Sequence, residues 1–268
     1  MNVRKTRLAA ALLAVGALAG GCGIAESVTT PTATPASSAP PEPREQLLDA
    51  VPGATAGAFA FRIEGGTQPM RGVLDAANKR LRIDLAHKDP ELGFTITMNF
   101  LVVQERSWIK VAVKGAEGLT GMPDLPKKWM SLDPDKIKDK DAAPLAYDGE
   151  TDPGEVGAVL RAIVDVKQTG TGKYAGTTDL SRQGEAEIVD EATLAALGDR
   201  AEAVPFEATV DGQGRLTSMI VRIPAAGKAK ASRYEVTYDG YGSTDSPSEP
   251  AADKQQPATE EAYEMVNS

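Results

Sequence analysis

Between residues 58 and 114, hydrophobic and polar positions alternate with a period of two. In "FAFRIE", Phe59, Phe61 and Ile63 face one way and Arg62 and Glu64 the other; in "RLRIDLAHK", Leu81, Ile83 and Leu85 oppose Arg80, Arg82 and Asp84. "FTITMNFLV" sets Phe94, Ile96, Met98 and Phe100 against Thr95, Thr97 and Asn99. This is the signature of half-buried antiparallel strands. "TQPMRGVLDA" and "SWIKVAVKG" extend the same meander, "KKWMSLD" predicts a short sixth strand, and "EGGT", "AANK" and "DPELG" suit the connecting turns.

The pattern then changes period. "DPGEVGAVLRAIV" predicts a helix over 153–163, with Asp152 as cap, Pro153 in the first turn, Glu155 at the capping-box position and a stripe of Val156, Val159, Leu160 and Ile163. Asp133 and Pro134 predict a similar start in "LDPDKIKD". "KQTGTGKYAGTTDLS" reads as one strand and "DEATLAALGDRA" as a helix over 190–197 capped by Asp190. "AVPFEATVD", "GRLTSMIVRIP" and "ASRYEVTYDGYG" return to strands, with Asp211-Gly212-Gln213-Gly214 as a hairpin turn. Strands, a helical insert and strands again predict an α+β fold, with a few short helices gathered on one face of a curved antiparallel sheet.

Both flanks of this pattern lack it. Residues 1–21 hold a basic start (Arg4, Lys5, Arg7), an uncharged run from Leu8 to Ala19 and small residues, ending "LAGG" before Cys22, the one cysteine of the chain. The run is too short for a bilayer span, which takes about 20 residues, and has the layout of an export signal. Residues 22–47 are rich in Thr, Pro, Ala and Ser and read as a semi-rigid spacer. Residues 243–268 are rich in Ser, Pro, Ala and acids and read as a disordered acidic tail. A single folded domain is expected over 48–242.

Charge and side-chain chemistry narrow the function. The chain carries a formal charge of −9, and removal of the basic start makes it more negative, which argues against a nucleic-acid partner and against docking on anionic lipid heads by charge. With one cysteine, no intramolecular disulfide forms. His87, the single histidine, lies on the parity of Ile83 and Leu85 without a nucleophile or carboxylate partner in sequence, so it reads as a strand-end residue. One histidine and one cysteine leave no usual zinc set. "DPDKIKDKD", with Asp133, Asp135, Asp139 and Asp141, has Ile137 and Lys138 where a calcium loop needs an acid or amide and then glycine. "GTGKYAG" lacks the phosphate-loop spacing and its Lys-Ser/Thr pair. No metal, no cofactor and no enzymatic activity are expected.

Leu18-Ala19-Gly20-Gly21-Cys22 resembles the lipobox of bacterial lipoproteins, in which the cysteine thiol receives diacylglycerol before cleavage on its N-terminal side; here Ala19 stands where that family usually has a larger aliphatic residue. A lipobox, a spacer and a long meander with a helical insert resemble the LppX/LprG lipoproteins of actinobacteria. The second half carries the more specific likeness: Tyr174 and Gly176, Val204-Pro205, and Asp211, Gly214, Arg215 and Leu216 fall where that family has a Tyr-x-Gly strand, a Val-Pro strand and an Asp-x-x-Gly-Arg-Leu turn. The resemblance implies a half-barrel sheet, similar to the LolA and LolB carriers, covered on its concave face by short helices over an apolar cavity. It also implies anchoring at the outer face of the cell membrane through diacylglycerol on Cys22, and binding or transfer of an acylated lipid or glycolipid. On that reading the cavity is lined by Phe59, Phe61, Ile63, Ile83, Leu85, Phe94, Ile96, Met98, Phe100, Val159 and Leu160. The alternative is a non-catalytic sensory or scaffold lipoprotein whose sheet encloses a filled core, because core-facing and cavity-facing apolar residues look alike in sequence. Neither reading names a protein partner.

Two acyl chains anchor stably where one is marginal, so Cys22→Ala is expected to abolish lipidation and leave uncleaved precursor or released protein. Intact mass and detergent partitioning check this; values identical to wild type contradict it.

Overall fold

The computed structural model describes residues 41–116, 126–138, 147, 149–182 and 188–267. Cys22, the signal and most of the spacer lie outside the described residues, as do Asp139 and Asp141.

The alternating segments form strands where expected. β1 (Phe59–Glu64), β2 (Met70–Asp75), β3 (Arg80–Lys88), β4 (Thr95–Val103), β5 (Arg106–Lys114) and β6 (Trp129–Ser131) make one antiparallel meander. Turn chemistry sets its register. Asp89 Oδ1 accepts from the backbone N–H groups of Glu91 and Leu92 at 2.9 and 2.7 Å, and Gly93 takes φ 76°. A second meander follows from β7 (Ile163–Gly170), β8 (Lys173–Thr178), β9 (Val204–Val210), β10 (Leu216–Ile223) and β11 (Ser232–Asp239). "KQTGTGKYAGTTDLS" is thus a hairpin rather than one strand: Gly172, at φ 64°, turns the chain between β7 and β8, and a Cβ there would lie 2.3 Å from the carbonyl oxygen of Val210.

β1 pairs with β11, from Ala60 opposite Asp239 to Glu64 opposite Glu235, and merges the meanders into one open sheet of 12 strands. The fold is therefore mixed α+β, with four short α-helices among the described residues. The main core lies on one face of the sheet, here called inner. It joins Phe59, Phe61, Ile63, Leu74, Leu81, Ile83, Phe100 and Ile109 of the first meander to Phe206, Met219, Val221, Val236 and Tyr238 of the second.

Helix α1 (Pro43–Asp49) opens with Pro43, whose missing N–H costs nothing in a first turn, and buries Leu47 completely in the main core. Folded structure thus begins inside the segment expected to be spacer. Helix α2 (Val156–Arg161) is shorter than the expected 153–163. Asp152 caps it from a distance, its Oδ2 accepting from Gly157 N–H at 2.7 Å, while Pro153 and Gly154 form a turn and Glu155 is left-handed at φ 47°. Glu155 makes no capping box, and Ile163 opens β7 instead of ending the helix. Helix α3 (Glu191–Leu197) begins as expected, with Asp190 Oδ1 accepting from Thr193 N–H at 2.6 Å.

The largest correction concerns residues 243–267, which are folded rather than a disordered tail. From Ser246 to Gln255 the chain crosses the end of the outer face, where β4 and β5 present a second apolar cluster of Leu101, Val103 and Trp108 flanked by Trp129. Trp108 is fully buried and donates Nε1–H to Gln255 Oε1 at 2.7 Å, and Arg106 pairs with Glu249 and lies 4.8 Å over the Trp108 ring. Ser246 donates to Asp75, and Arg80 donates to the Pro247 carbonyl at 3.1 Å. Next, β12 (Gln255–Pro257) adds to β6 in parallel, and α4 (Glu260–Val266) returns to the inner side, burying Ala262 and Tyr263. Lys136 pairs with Glu260 at 2.9 Å, and the Tyr263 hydroxyl accepts from Asp133 N–H at 2.8 Å. Composition misleads here because the apolar contacts are few, with Ala262 and Tyr263 buried in the core and Ala258, Met265 and Val266 packed against it, and the rest of the segment is held by hydrogen bonds to side chains and backbone.

Asp75, 4% exposed, anchors this strap. Burial alone would raise its pKa, but hydrogen bonds from Ser246 and Asn78 and the charge of Arg80 outweigh burial and hold it below 3.8. Its stabilising contribution is present above about pH 3.8 and is lost as pH falls through the lowered value. Asp75→Asn is expected to destabilise the protein at pH 7 by roughly 1–3 kcal/mol and to lose less than wild type on acidification. Denaturant unfolding at pH 7 and pH 3 checks this, and an equal deficit at both contradicts it.

Candidate functional site

The sheet register lines up the expected apolar residues in rows across the inner face. One row runs Tyr238–Phe61–Gly72–Ile83–Phe100–Ile109. Gly72 is required in it: a Cβ would come within 2.7 Å of the Phe61 ring. The next row runs Val236–Ile63–Met70–Leu85–Met98–Val111, and a third sets His87–Ile96–Val113.

Burial is graded along these rows. Phe59, Phe61, Ile63, Ile83 and Phe100 are buried in the main core, and Val159 and Leu160 of α2 join them there. Leu85, Ile96 and Met98 pack against that core but remain half-buried, as does Met70. Phe94 departs from expectation: it precedes β4 in the turn from β3, is half-buried, and takes no part in the main cluster. Val113 is half-buried and Leu92, in the same turn, is 60% exposed. The apolar surface of β3–β5 therefore continues beyond the packed core toward the end of the sheet that carries the Asp89–Gly93 turn. His87 shares the last row and is exposed.

The opposite part of the inner face is closed by polar contacts that sequence reasoning missed. The Asp152–Glu155 turn rests on β11. Tyr238 donates its hydroxyl to Asp152 Oδ1 at 2.7 Å and Tyr234 donates to the Gly154 carbonyl at 2.8 Å. Gly154 is needed for this approach, since a Cβ would lie 2.8 Å from a Val236 methyl. Burial, reinforced by the Asp152 charge, pushes the acidities of Tyr234 and Tyr238 well above the ordinary tyrosine value of 10.0. Tyr234 and Tyr238 share the parity of Val236 in "RYEVTYD", which marks them as inward-facing; their partners, Gly154 and Asp152, have no local signal, lying 80 and 86 residues away.

Below this turn, Leu48, Val51, Pro52, Asp152, Ala158 and Arg161 line an open cleft of about 470 Å³ that shares no residue with the expected cavity lining. Among the described residues no cluster of three or more His, Cys, Asp and Glu is arranged to hold a metal ion, and no helix is long and apolar enough to cross a membrane. No protein-family model matches the chain, and the curated proteins contain no significant match to it.

A buried neutral tyrosine contributes stability that is present below pH 10.0 and lost as pH rises through its raised value. Tyr238→Phe is expected to cost about 1 kcal/mol at pH 7, and the double variant Tyr234→Phe/Tyr238→Phe to show a shallower loss of stability above pH 10 than wild type. Thermal melts from pH 7 to 11 check both; identical alkaline slopes contradict the assignment.

Proposed function

We propose that the protein is an exported, membrane-anchored lipoprotein of the LppX/LprG kind, held at the outer face of the cell membrane by diacylglycerol on Cys22, that binds or transfers an acylated lipid or glycolipid. In this reading the sheet is a half-barrel, α1, α2 and α3 cover its concave inner face, and the half-buried end of that face takes the acyl chains. The observation that carries it is the graded burial of one apolar surface. Ile83 and Phe100 are sealed, while Met70, Leu85, Ile96 and Met98, on the same face of the same strands, are not. A surface that served only as core would end its apolar run where its cover ends. An acyl chain laid over it would bury more apolar area at roughly 25 cal/mol per Å². Binding, rather than chemistry, is the role such a surface fits, and the protein is read as a non-enzyme.

The alternative, a sensory or scaffold lipoprotein with a filled core, draws on the complete burial of Phe59, Val159 and Leu160 in one cluster. The two readings part at Ile96. In a lipid-accepting face, a carboxylate at this half-buried position is wetted. Ile96→Asp is then expected to keep a melting temperature within a few degrees of wild type and to lose binding of a fluorescent acyl probe. Ile109→Asp, at a sealed position of the same face, is expected to unfold the protein, because an unpaired buried carboxylate costs several kcal/mol. Absence of probe binding by wild type, with collapse of Ile96→Asp, would favour the filled core.

A further inference from the structure

The outer face of the sheet, away from the inner apolar surface, carries an unusual juxtaposition. β1 and β2 place Arg62 directly opposite Arg71, in a row that runs Thr237–Arg62–Arg71–Asp84 across β11, β1, β2 and β3. Directly opposed residues have Cβ atoms about 5 Å apart, and like charges there repel. Each guanidinium has one long ion-pair contact, to a carboxylate that another arginine shares. Arg71 lies 3.8 Å from Asp84, but Asp84 already takes two hydrogen bonds from Arg82, at 3.2 and 3.1 Å, and one from Asn99 at 2.6 Å. Arg62 lies 3.6 Å from Glu64, which also faces Arg233 at 3.5 Å. Arg62 and Arg71 make no side-chain hydrogen bond among the described residues, and their side chains are 55% and 64% exposed. The row beside them holds Ala60 and Val73, whose short side chains leave a groove of about 240 Å³ lined by Arg62, Arg71 and Arg82 and, at its two sides, by Asp84 and Asp239.

We propose that this groove is a phosphate-binding site, in which one phosphate group bridges Arg62 and Arg71 and takes a further hydrogen bond from the Thr237 hydroxyl. The chemistry follows from geometry. Guanidinium forks match the oxygens of a tetrahedral oxyanion, and a dianion set between two opposed arginines turns their repulsion into attraction on both sides. Asp84 closes one end of the row and is occupied by Arg82 and Asn99. Asp239, opposite Ala60, lines the groove at the β11 side, so the phosphate is placed on the Arg62–Arg71 row rather than over Ala60. The phosphate belongs either to a free small molecule or to the head of a phosphorylated lipid. The site is independent of the acyl-chain reading, which concerns the other face.

The test uses the full chain carrying Cys22→Ala, in phosphate-free buffer at low ionic strength. Calorimetric titration with inorganic phosphate, glycerol 3-phosphate and monomeric dihexanoyl phosphatidic acid is compared with acetate. The expected result is saturable binding of the phosphates, weakened by added salt, absent for acetate, and reduced about tenfold or more in Arg62→Gln and in Arg71→Gln. Equal affinity for the two organic phosphates identifies a free small molecule as the source, and tighter binding of the phosphatidic acid identifies a lipid head. Melting supplies the second readout. Without ligand, Arg71→Gln relieves repulsion and is expected to melt no lower than the parent, and phosphate is expected to raise the melt of the parent only. Binding unchanged by either substitution, acetate binding as tight as phosphate, no binding of any phosphate, or a lower melt of Arg71→Gln without ligand would overturn the proposal.

Discussion

The pairing of β1 with β11 is the contact on which the rest of the structure depends. It joins residues about 175 positions apart in sequence through Ala60–Asp239 to Glu64–Glu235, so its loop-closure entropy is high and must be met by what the pairing brings together. It places Phe61 beside Tyr238 and Ile63 beside Val236, making one inner face out of two meanders. Phe59 packs edge-on to Tyr238 at 5.7 Å and tilted against Tyr241 at 5.1 Å, which adds about 0.5–1.5 kcal/mol per aromatic pair to the area buried. Without this junction each meander would present its own apolar face and one more open edge to water. The long-range character of the pairing also implies slow folding relative to a helical domain of equal size.

An open sheet needs its ends managed, and the two edges solve this differently. At one end, the three-residue β12 covers β6 and stops at Pro257, which has no N–H to offer a further strand. At the other, β7 is left as the edge and presents Asp165, Lys167 and Gln168 to solvent, although Val164 is 61% exposed. The segment that supplies β12 also shields Trp108 on the outer face and Tyr263 on the inner side, so one stretch of polar composition seals both faces at a single corner. Its hold is polar and distributed: Asp75, Arg80, Arg106, Trp108, Asp133 and Lys136 each contribute one partner.

Sequence pattern made most of the sheet legible because alternation is written into each strand locally. Ten of the 12 strands among the described residues fall in segments whose pattern announces them; β7 is read only from Lys167, merged with β8 because Gly170-Thr171-Gly172 is too short a break, while its start at Ile163 falls in the segment read as helix. Asp133 and Asp190 act as the caps their spacing implies, whereas Asp152 serves the helix, the turn and Tyr238 together, and only tertiary structure reveals that division. β12 and α4 were illegible for a physical reason. A strand of three residues has no period, and a seven-residue helix that buries Ala262 and Tyr263 and rests Met265 and Val266 on the core is too short to stand out in an acidic segment. The residues assigned to a cavity share a face as expected, Phe94 aside, but whether an inward residue is sealed or half-open depends on what packs over it, and that is not encoded in its own strand.

That last distinction is where stability and binding compete. Each fully buried inner-face residue contributes roughly 1.5–3 kcal/mol to folding, so full closure is the more stable solution. Leaving Met70, Leu85, Ile96 and Met98 half-buried forgoes part of that gain in one contiguous area. The remaining face compensates with dense packing around Phe59, Phe206, Met219 and Val236, all at or near zero exposure, and with the Tyr234 and Tyr238 hydroxyls that lock the Asp152–Glu155 turn to β11. The division has a sequence logic as well. Bulky aromatics and the helix contacts concentrate at the sealed part, while the open part holds unbranched Met70 and Met98, whose flexible thioethers adapt to irregular apolar shapes. If the proposed acyl ligand binds, it lies over the half-buried end of the face, while the junction of β1 and β11 is held by the fully buried Phe59, Phe61, Val236 and Tyr238.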